Sequence, residues 1–178
     1  MYGSRLFLRK LVTLPISVIA LLSSSAIAAA TEKGVHVPDS ARVTKVEVVL
    51  TPKNIQTRFP WREEDLYSSG CVFTVAGNQA KLDELIKILR NKLSVSSDVK
   101  EEFALRNAVY LYSNDGTKST FLFSDSNNPT KSVYGLFHSA EGASSSAITG
   151  NESLLDAFRA WASSDVSRVN RLKFCLQN

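Results

Sequence analysis

AVYLYSNDGTKSTFLFS (residues 108–124) decides the fold class of this 178-residue chain. Two runs rich in aromatic residues flank Asp115-Gly116, a dipeptide that favours a tight two-residue hairpin turn. With those two residues as the turn, Tyr110 stands opposite Phe121, Tyr112 opposite Ser119 and Val109 opposite Leu122. One face of the hairpin is then aromatic and the other aliphatic, because successive side chains of a strand point to opposite faces.

Working outward, the flanking segments supply more strands and two helices. SVYGLFH (132–138) places Val133 and Phe137 on one side and Tyr134, Leu136 and His138 on the other. RVTKVEVVL (42–50) alternates strictly, with Val46, Val48 and Leu50 against Lys45 and Glu47, the pattern of a half-buried strand. CVFTV (71–75) reads as a short strand. In QAKLDELIKILRNKL (79–93), Leu82, Leu85, Ile86, Leu89 and Leu93 form one apolar helical stripe, and Asn78 is the N-cap. NESLLDAFRAWASS (151–164) is a second helix capped by Asn151, with Leu154, Leu155, Phe158, Trp161 and Ala162 on its buried side. SVSSDVKEEFALR (94–106) fits either one helical turn from Asp98 or a loop. SAEGASSSAITG (139–150) is small and polar and reads as a mobile loop. VNRLKFCLQ (169–177) alternates as a last strand, with a helix as the other reading.

The expected order is therefore β-β-α-β-β-β-α-β. Strands arriving as hairpins rather than in regular βα alternation indicate an α+β fold: a mostly antiparallel sheet with both helices packed on one face.

The first thirty residues do not belong to that domain. Arg5, Arg9 and Lys10 precede an apolar run from Leu11 to Leu22, and SSSAIAAA follows with small residues. This is the three-part layout of a secretory signal peptide, with cleavage after Ala28 or Ala30. An uncleaved anchor is the rival reading, which Pro15 and the serines of the run disfavour. Residues 31–178 then form a single globular domain, polar and partly mobile in its lead TEKGVHVPDS (31–40).

Removal of the signal also removes the apparent basicity. The whole chain is +4, but three of its 21 Lys and Arg precede residue 28 and none of its 17 Asp and Glu does, so the domain is near +1. That balance gives no electrostatic case for nucleic acid or for an anionic membrane after cleavage. The expected location is periplasmic or secreted. Cys71 and Cys175 are the only cysteines, and in an exported chain two cysteines read as one disulfide rather than two buried thiols.

Chemistry-bearing motifs are scarce. The two histidines, His36 and His138, lie far apart in sequence without metal-ligand spacing, and no zinc or other cofactor is expected. There is no G-x-S-x-G, no Walker A and no G-x-G-x-x-G. Ser97–Lys100 matches S-x-x-K, but no K-T-G accompanies it. Glu63, Glu64 and Asp65 are adjacent acids, whereas glycosidases hold two carboxylates across a cleft; Glu64 or Asp65, with Pro60 just before, also fits the start of a short helical turn. No catalytic residue is assigned.

What remains is TRFPWREEDLYSSGC (57–71), the long connection between the first two strands. Arg58, Phe59, Trp61, Arg62 and Tyr67 are residue types enriched at binding hot spots. Either the aromatics cover the core or the stretch is presented to a partner, and both hold if Trp61 is buried while Arg58, Arg62 and Tyr67 are exposed. The resulting expectation is an exported, non-catalytic module that binds another envelope or secreted protein, as an inhibitor, an immunity-type protein or an accessory subunit. Two alternatives stand beside it. One is a small cell-wall or carbohydrate hydrolase using Glu63 or Glu64 with Asp65 or His138. The other is a small-ligand site on the aromatic hairpin face of Tyr110, Tyr112 and Phe121.

Overall fold

The computed structural model describes residues 35–52, 61–97, 103–125, 132–139, 145–164 and 167–168. These all fall in one compact unit, and the signal-peptide expectation for residues 1–30 lies outside them. The fold is α+β. Strands β1 (Val43–Leu50), β2 (Cys71–Ala76), β3 (Leu93–Val95), β4 (Asn107–Ser113), β5 (Lys118–Phe123), β6 (Ser132–His138), β7 (Ser145–Asn151) and β8 (Ser167–Arg168) form one sheet. Its order is β3-β7-β6-β5-β4-β1-β2-β8, and every neighbouring pair is antiparallel. Three helices are interspersed: α1 (Glu63–Ser69), α2 (Gln79–Lys92) and α3 (Ser153–Ser163).

Alternation along the strands sorts the interior into two clusters. The larger takes Val46, Val48 and Leu50 of β1, Cys71, Phe73 and Val75 of β2, Val109 and Leu111 of β4, and Phe121 and Phe123 of β5. Leu82, Leu85, Ile86 and Leu89 of α2 and Leu154, Leu155, Phe158 and Trp161 of α3 belong to the same cluster. The smaller takes the intervening strand residues Val49, Val72, Ala108, Tyr110 and Leu122, joined by Leu66 of α1. A third helix thus sits among residues read from sequence as a connection, and its one buried side chain goes to the second cluster.

Several elements match the sequence closely for evident reasons. The amide of Lys81 donates to Asn78 Oδ1 at 3.2 Å, capping α2. The α3 stripe is buried as its spacing requires, together with Arg159, whose Nη1 lies 3.5 Å from Asp156. The described part of the N-terminal lead is hydrogen-bonded to α2. Val37 is buried, Pro38 C=O accepts from Arg90 Nη2 at 3.0 Å, and Ser40 C=O accepts from Gln79 Nε2 at 2.9 Å.

Others differ. The segment 145–150, expected to be part of a loop, belongs to β7 and pairs with both β6 and β3. Asn151 is the last residue of β7, not the cap of α3; its Oδ1 accepts from Ser153 Oγ at 2.6 Å. Leu93 leaves the α2 stripe to begin β3, a strand absent from the sequence reading of 94–106. Of the last expected strand, only Ser167–Arg168 just before it is described, paired with β2; residues 169–177 and Cys175 lie outside the described residues.

The hairpin register is also one residue off. Tyr110 stands opposite Thr120, Tyr112 opposite Lys118 and Val109 opposite Phe121. The Ser113 amide donates to Thr117 C=O at 2.9 Å and the Gly116 amide to Ser113 C=O at 3.1 Å, so Asn114, Asp115 and Gly116 make a three-residue loop. Asp115 explains the choice. Its Oδ1 accepts from both Thr117 Oγ1 (2.6 Å) and the Thr117 amide (3.0 Å), and its Oδ2 from Arg42 Nη2 (2.6 Å). Those bonds lower its pKa to about 2. A one-residue slip moves a whole strand to the other face. Phe121 therefore joins the larger cluster and Tyr110 the smaller, and no aromatic face of Tyr110, Tyr112 and Phe121 exists.

Gly116 has φ +81°, and an added Cβ meets nothing within 4 Å. Gly116→Ala is therefore expected to cost about 1 kcal/mol from backbone conformation alone. An unchanged urea midpoint would contradict the left-handed turn.

Candidate functional site

The face of the sheet that carries α1 concentrates polar and aromatic groups. On β1, Lys45 stands opposite Tyr112 and Glu47 opposite Tyr110, because both β1 residues occupy the positions between the buried valines. α1 starts at Glu63, and its first turn is acidic, which suits the partial positive charge of a helix N-terminus. Asp65 Oδ2 accepts from the Arg62 amide at 2.8 Å, fixing the start. Leu66 anchors the helix in the smaller cluster, and Gly70, whose missing Cβ would stand 2.6 Å from Leu66 C=O, lets the chain enter β2.

This arrangement brings Tyr67 over Tyr110, ring centroids 5.7 Å apart and planes 19° from parallel. Glu47 is the hub beneath them. Its Oε2 accepts from Tyr67 Oη (3.0 Å) and Tyr112 Oη (2.8 Å), and its Oε1 lies 2.7 Å from Lys45 Nζ. Tyr110 Oη donates to Glu63 Oε2 at 3.0 Å. Lys45 and Lys118 place their ammonium groups over the Tyr112 and Tyr110 rings, 4.7 and 5.0 Å from the centroids.

The electrostatics follow from these contacts. Burial alone would raise the Glu47 carboxyl, but hydrogen bonds from Lys45, Tyr112 and Tyr67 and the Lys45 charge outweigh it and hold its pKa below the ordinary 4.5. Burial, with bonding to Glu47, pushes the Tyr112 phenol up to about 12. Burial likewise raises Tyr67 and Tyr110, each bonded to a carboxylate. Phenols shifted upward stay protonated near neutral pH and do not serve there as bases or nucleophiles. The cluster is equipped to hold a shape and to form hydrogen bonds.

Glu47→Gln is expected to destabilise the protein by about 2 kcal/mol, since an ionised acceptor loses three donors that act as one network. The pH dependence has a definite sign. With the folded pKa below the unfolded one, the Glu47 contribution is complete above about pH 4.5 and is lost as pH falls through the folded value. Urea midpoints against pH are expected to fall more steeply below pH 4.5 in the wild type than in Glu47→Gln.

The residues singled out from the sequence are distributed as follows. Tyr67 is 41% exposed, the more exposed of the two large apolar side chains that remain at the surface among the described residues. Arg62 is exposed at the α1 start. Trp61 is half-buried against the smaller cluster, with the Arg106 guanidinium 5.2 Å from its ring centroid. Arg58 and Phe59 lie outside the described residues. Among the described residues, no hydrogen bond or ion pair joins His138 to Glu63, Glu64 or Asp65, and Glu63 and Asp65 are occupied by Tyr110 and the Arg62 amide. Sequence reading missed Glu47, Tyr110 and Tyr112 as parts of one cluster. The signal was present in Lys45 and Glu47 sharing a face, but the pairing of β1 with β4 was needed to set the tyrosines beside them.

No family model, curated protein or solved structure matches the chain. Among the described residues there is no group of three or more His, Cys, Asp or Glu placed to hold a metal ion, and no helix long and apolar enough to cross a membrane.

Proposed function

We propose that the protein is an exported, non-catalytic binding module that engages another envelope or secreted protein through the α1 face, as an inhibitor, an immunity-type protein or an accessory subunit. The observation that carries this reading is Tyr67: an exposed aromatic ring already held by stacking on Tyr110 and by a hydrogen bond to Glu47. A tyrosine fixed in this way has little conformational entropy left to lose on binding, which makes it an effective anchor. Arg62 and Trp61 extend the surface, and Arg58 and Phe59 precede them in the sequence. In this reading α2 and α3 back the sheet together from the opposite face, the N-terminal segment is a cleaved signal peptide, and Cys71 and Cys175 form a disulfide that fastens the C-terminal segment to β2.

The test compares wild type and Tyr67→Ala as baits against envelope and culture extracts, with mass-spectrometric identification. Because Tyr67 is 41% exposed and lies outside both buried clusters, the variant is expected to stay folded by circular dichroism, and to lose at least tenfold in affinity for the captured partner. A partner retained equally by both baits would remove the α1 face from the interface.

A further inference from the structure

The larger-cluster face of the sheet changes character at one end. Along β4 the residues on this face run Val109, Leu111, Ser113, and along β5 backward from the core they run Phe123, Phe121, Ser119. Phe137 of β6 stands opposite Phe121 on the same face. At this end the sheet borders a groove of about 320 Å³, at the small end of the range of ligand-binding cavities. Ser113, Ser119 and Phe137 line it from the sheet, and Pro38 and Asp39 line it from the segment that leads into β1.

The charge of this groove is one-sided. Arg42 and Asp115 also line it, but they are paired with each other at 2.6 Å, and Asp115 Oδ1 accepts two further bonds from Thr117. With His36 neutral, two carboxylates against one guanidinium leave the lining with a single negative charge. That charge belongs to Asp39. Among the described residues no ion pair reaches its carboxylate, and the bond it accepts from the Ala41 amide is long, at 3.4 Å.

We infer that the groove binds a small organic cation, a primary ammonium on a short alkyl chain. An ammonium has three N–H donors and no acceptor, so it is best held by acceptors on more than one side. The Asp39 carboxylate supplies a charged acceptor, and the Ser113 and Ser119 hydroxyl oxygens supply neutral ones. Phe137 and Pro38 give the alkyl chain apolar surface. An anion is the wrong ligand, because it would face Asp39 while Arg42 is already committed to Asp115. A metal ion is the wrong ligand for want of donors: among the described residues no three His, Cys, Asp or Glu are placed to hold one. The groove shares no residue with the Tyr67 surface, so either site can fail without the other.

The experiment uses the chain purified from a secreting host, so that any N-terminal processing has taken place. Amide chemical shifts are followed by NMR at about pH 8, which keeps histidine at its ordinary pKa uncharged. The probes are n-butylammonium chloride, n-butanol and sodium butyrate, added singly to about 50 mM at constant ionic strength, enough to saturate a site with a Kd of roughly 5 mM. The expected result is saturable shifts at Ser113, Ser119 and Phe137 with n-butylammonium alone. Asp39→Asn, which keeps an oxygen for the Ala41 amide, is expected to weaken binding about fivefold, and Ser119→Ala about twofold. Should Asp39→Asn fail to fold, Ser119→Ala alone decides. Absence of saturable shifts, an equal response to n-butanol, butyrate or sodium chloride, or an unchanged affinity in the folded variants would each overturn the assignment.

Discussion

Trp161→Ala is expected to lower the stability of the protein by about 3–5 kcal/mol, the usual range for deleting a fully buried large aromatic side chain. Trp161 is 1% exposed, and its Nε1–H donates to Lys81 C=O at 3.0 Å. It therefore serves twice. Its ring fills the larger cluster between α3 and the sheet, and its polar edge ties α3 to the first turn of α2. Ser164 closes the same junction, its Oγ accepting from Lys81 Nζ at 2.7 Å. Trp161→Phe separates the two contributions. It keeps most of the apolar volume and loses the hydrogen bond, so about 1–2 kcal/mol is expected. Since small domains have total stabilities of about 5–15 kcal/mol, the alanine variant approaches the unfolding threshold at physiological temperature. Urea unfolding followed by circular dichroism measures both. A loss below about 1 kcal/mol in Trp161→Ala would mean that the α2–α3 junction is not part of the cooperative core.

Eliminating the proposed Cys71–Cys175 bridge is the second large effect. A cross-link closing a loop of about 100 residues contributes roughly 4–5 kcal/mol in the chain-entropy model. Cys71 is fully buried at the start of β2, among the side chains of the larger cluster, where a shift in packing is felt. Cys175→Ala is the cleaner variant because it leaves that position intact. Its urea midpoint in the absence of reductant is expected to match that of the reduced wild type and to lie well below that of the oxidised wild type. Thiol titration of the unfolded wild-type chain supplies the independent check: finding both cysteines free would dispose of the bridge.

The sequence was legible where one period dominated. The alternation of Val46, Val48 and Leu50 with Lys45 and Glu47 is β1, and the stripe from Leu82 to Leu89 is α2. Legibility failed where the deciding interaction was not local. Ser145–Asn151 has few side chains with strand preference; it is a strand because β6 and β3 offer it partners on both sides. α1 spans seven residues and buries only Leu66, so no helical period appears, and only its start near Glu64 was legible, as a short helical turn. The hairpin dipeptide was recognised, but Asp115 bonds forward to Thr117 and so sets the loop at three residues instead of two. The Glu47 cluster was hidden for a different reason, because it depends on the pairing of β1 with β4, which no local pattern announces. That pairing sets Tyr110 and Tyr112 beside Glu47 and Lys45.

The position of β1 carries a consequence for how the chain comes into being. The first strand made lies inside the sheet, between β2 and β4. β2 follows soon, but β4 begins only at Asn107, roughly 60 residues after β1 begins, or about 3–12 s of synthesis. Throughout that interval one hydrogen-bonding edge of a valine-rich strand stands open, the kind of edge that recruits other chains. Lys45 and Glu47 interrupt that strand with charge on alternate residues, and such residues act as gatekeepers against mispairing. The groups that later anchor the tyrosines thus also protect the nascent chain, and Glu47→Gln is expected to lower soluble yield by more than its loss of folded stability accounts for.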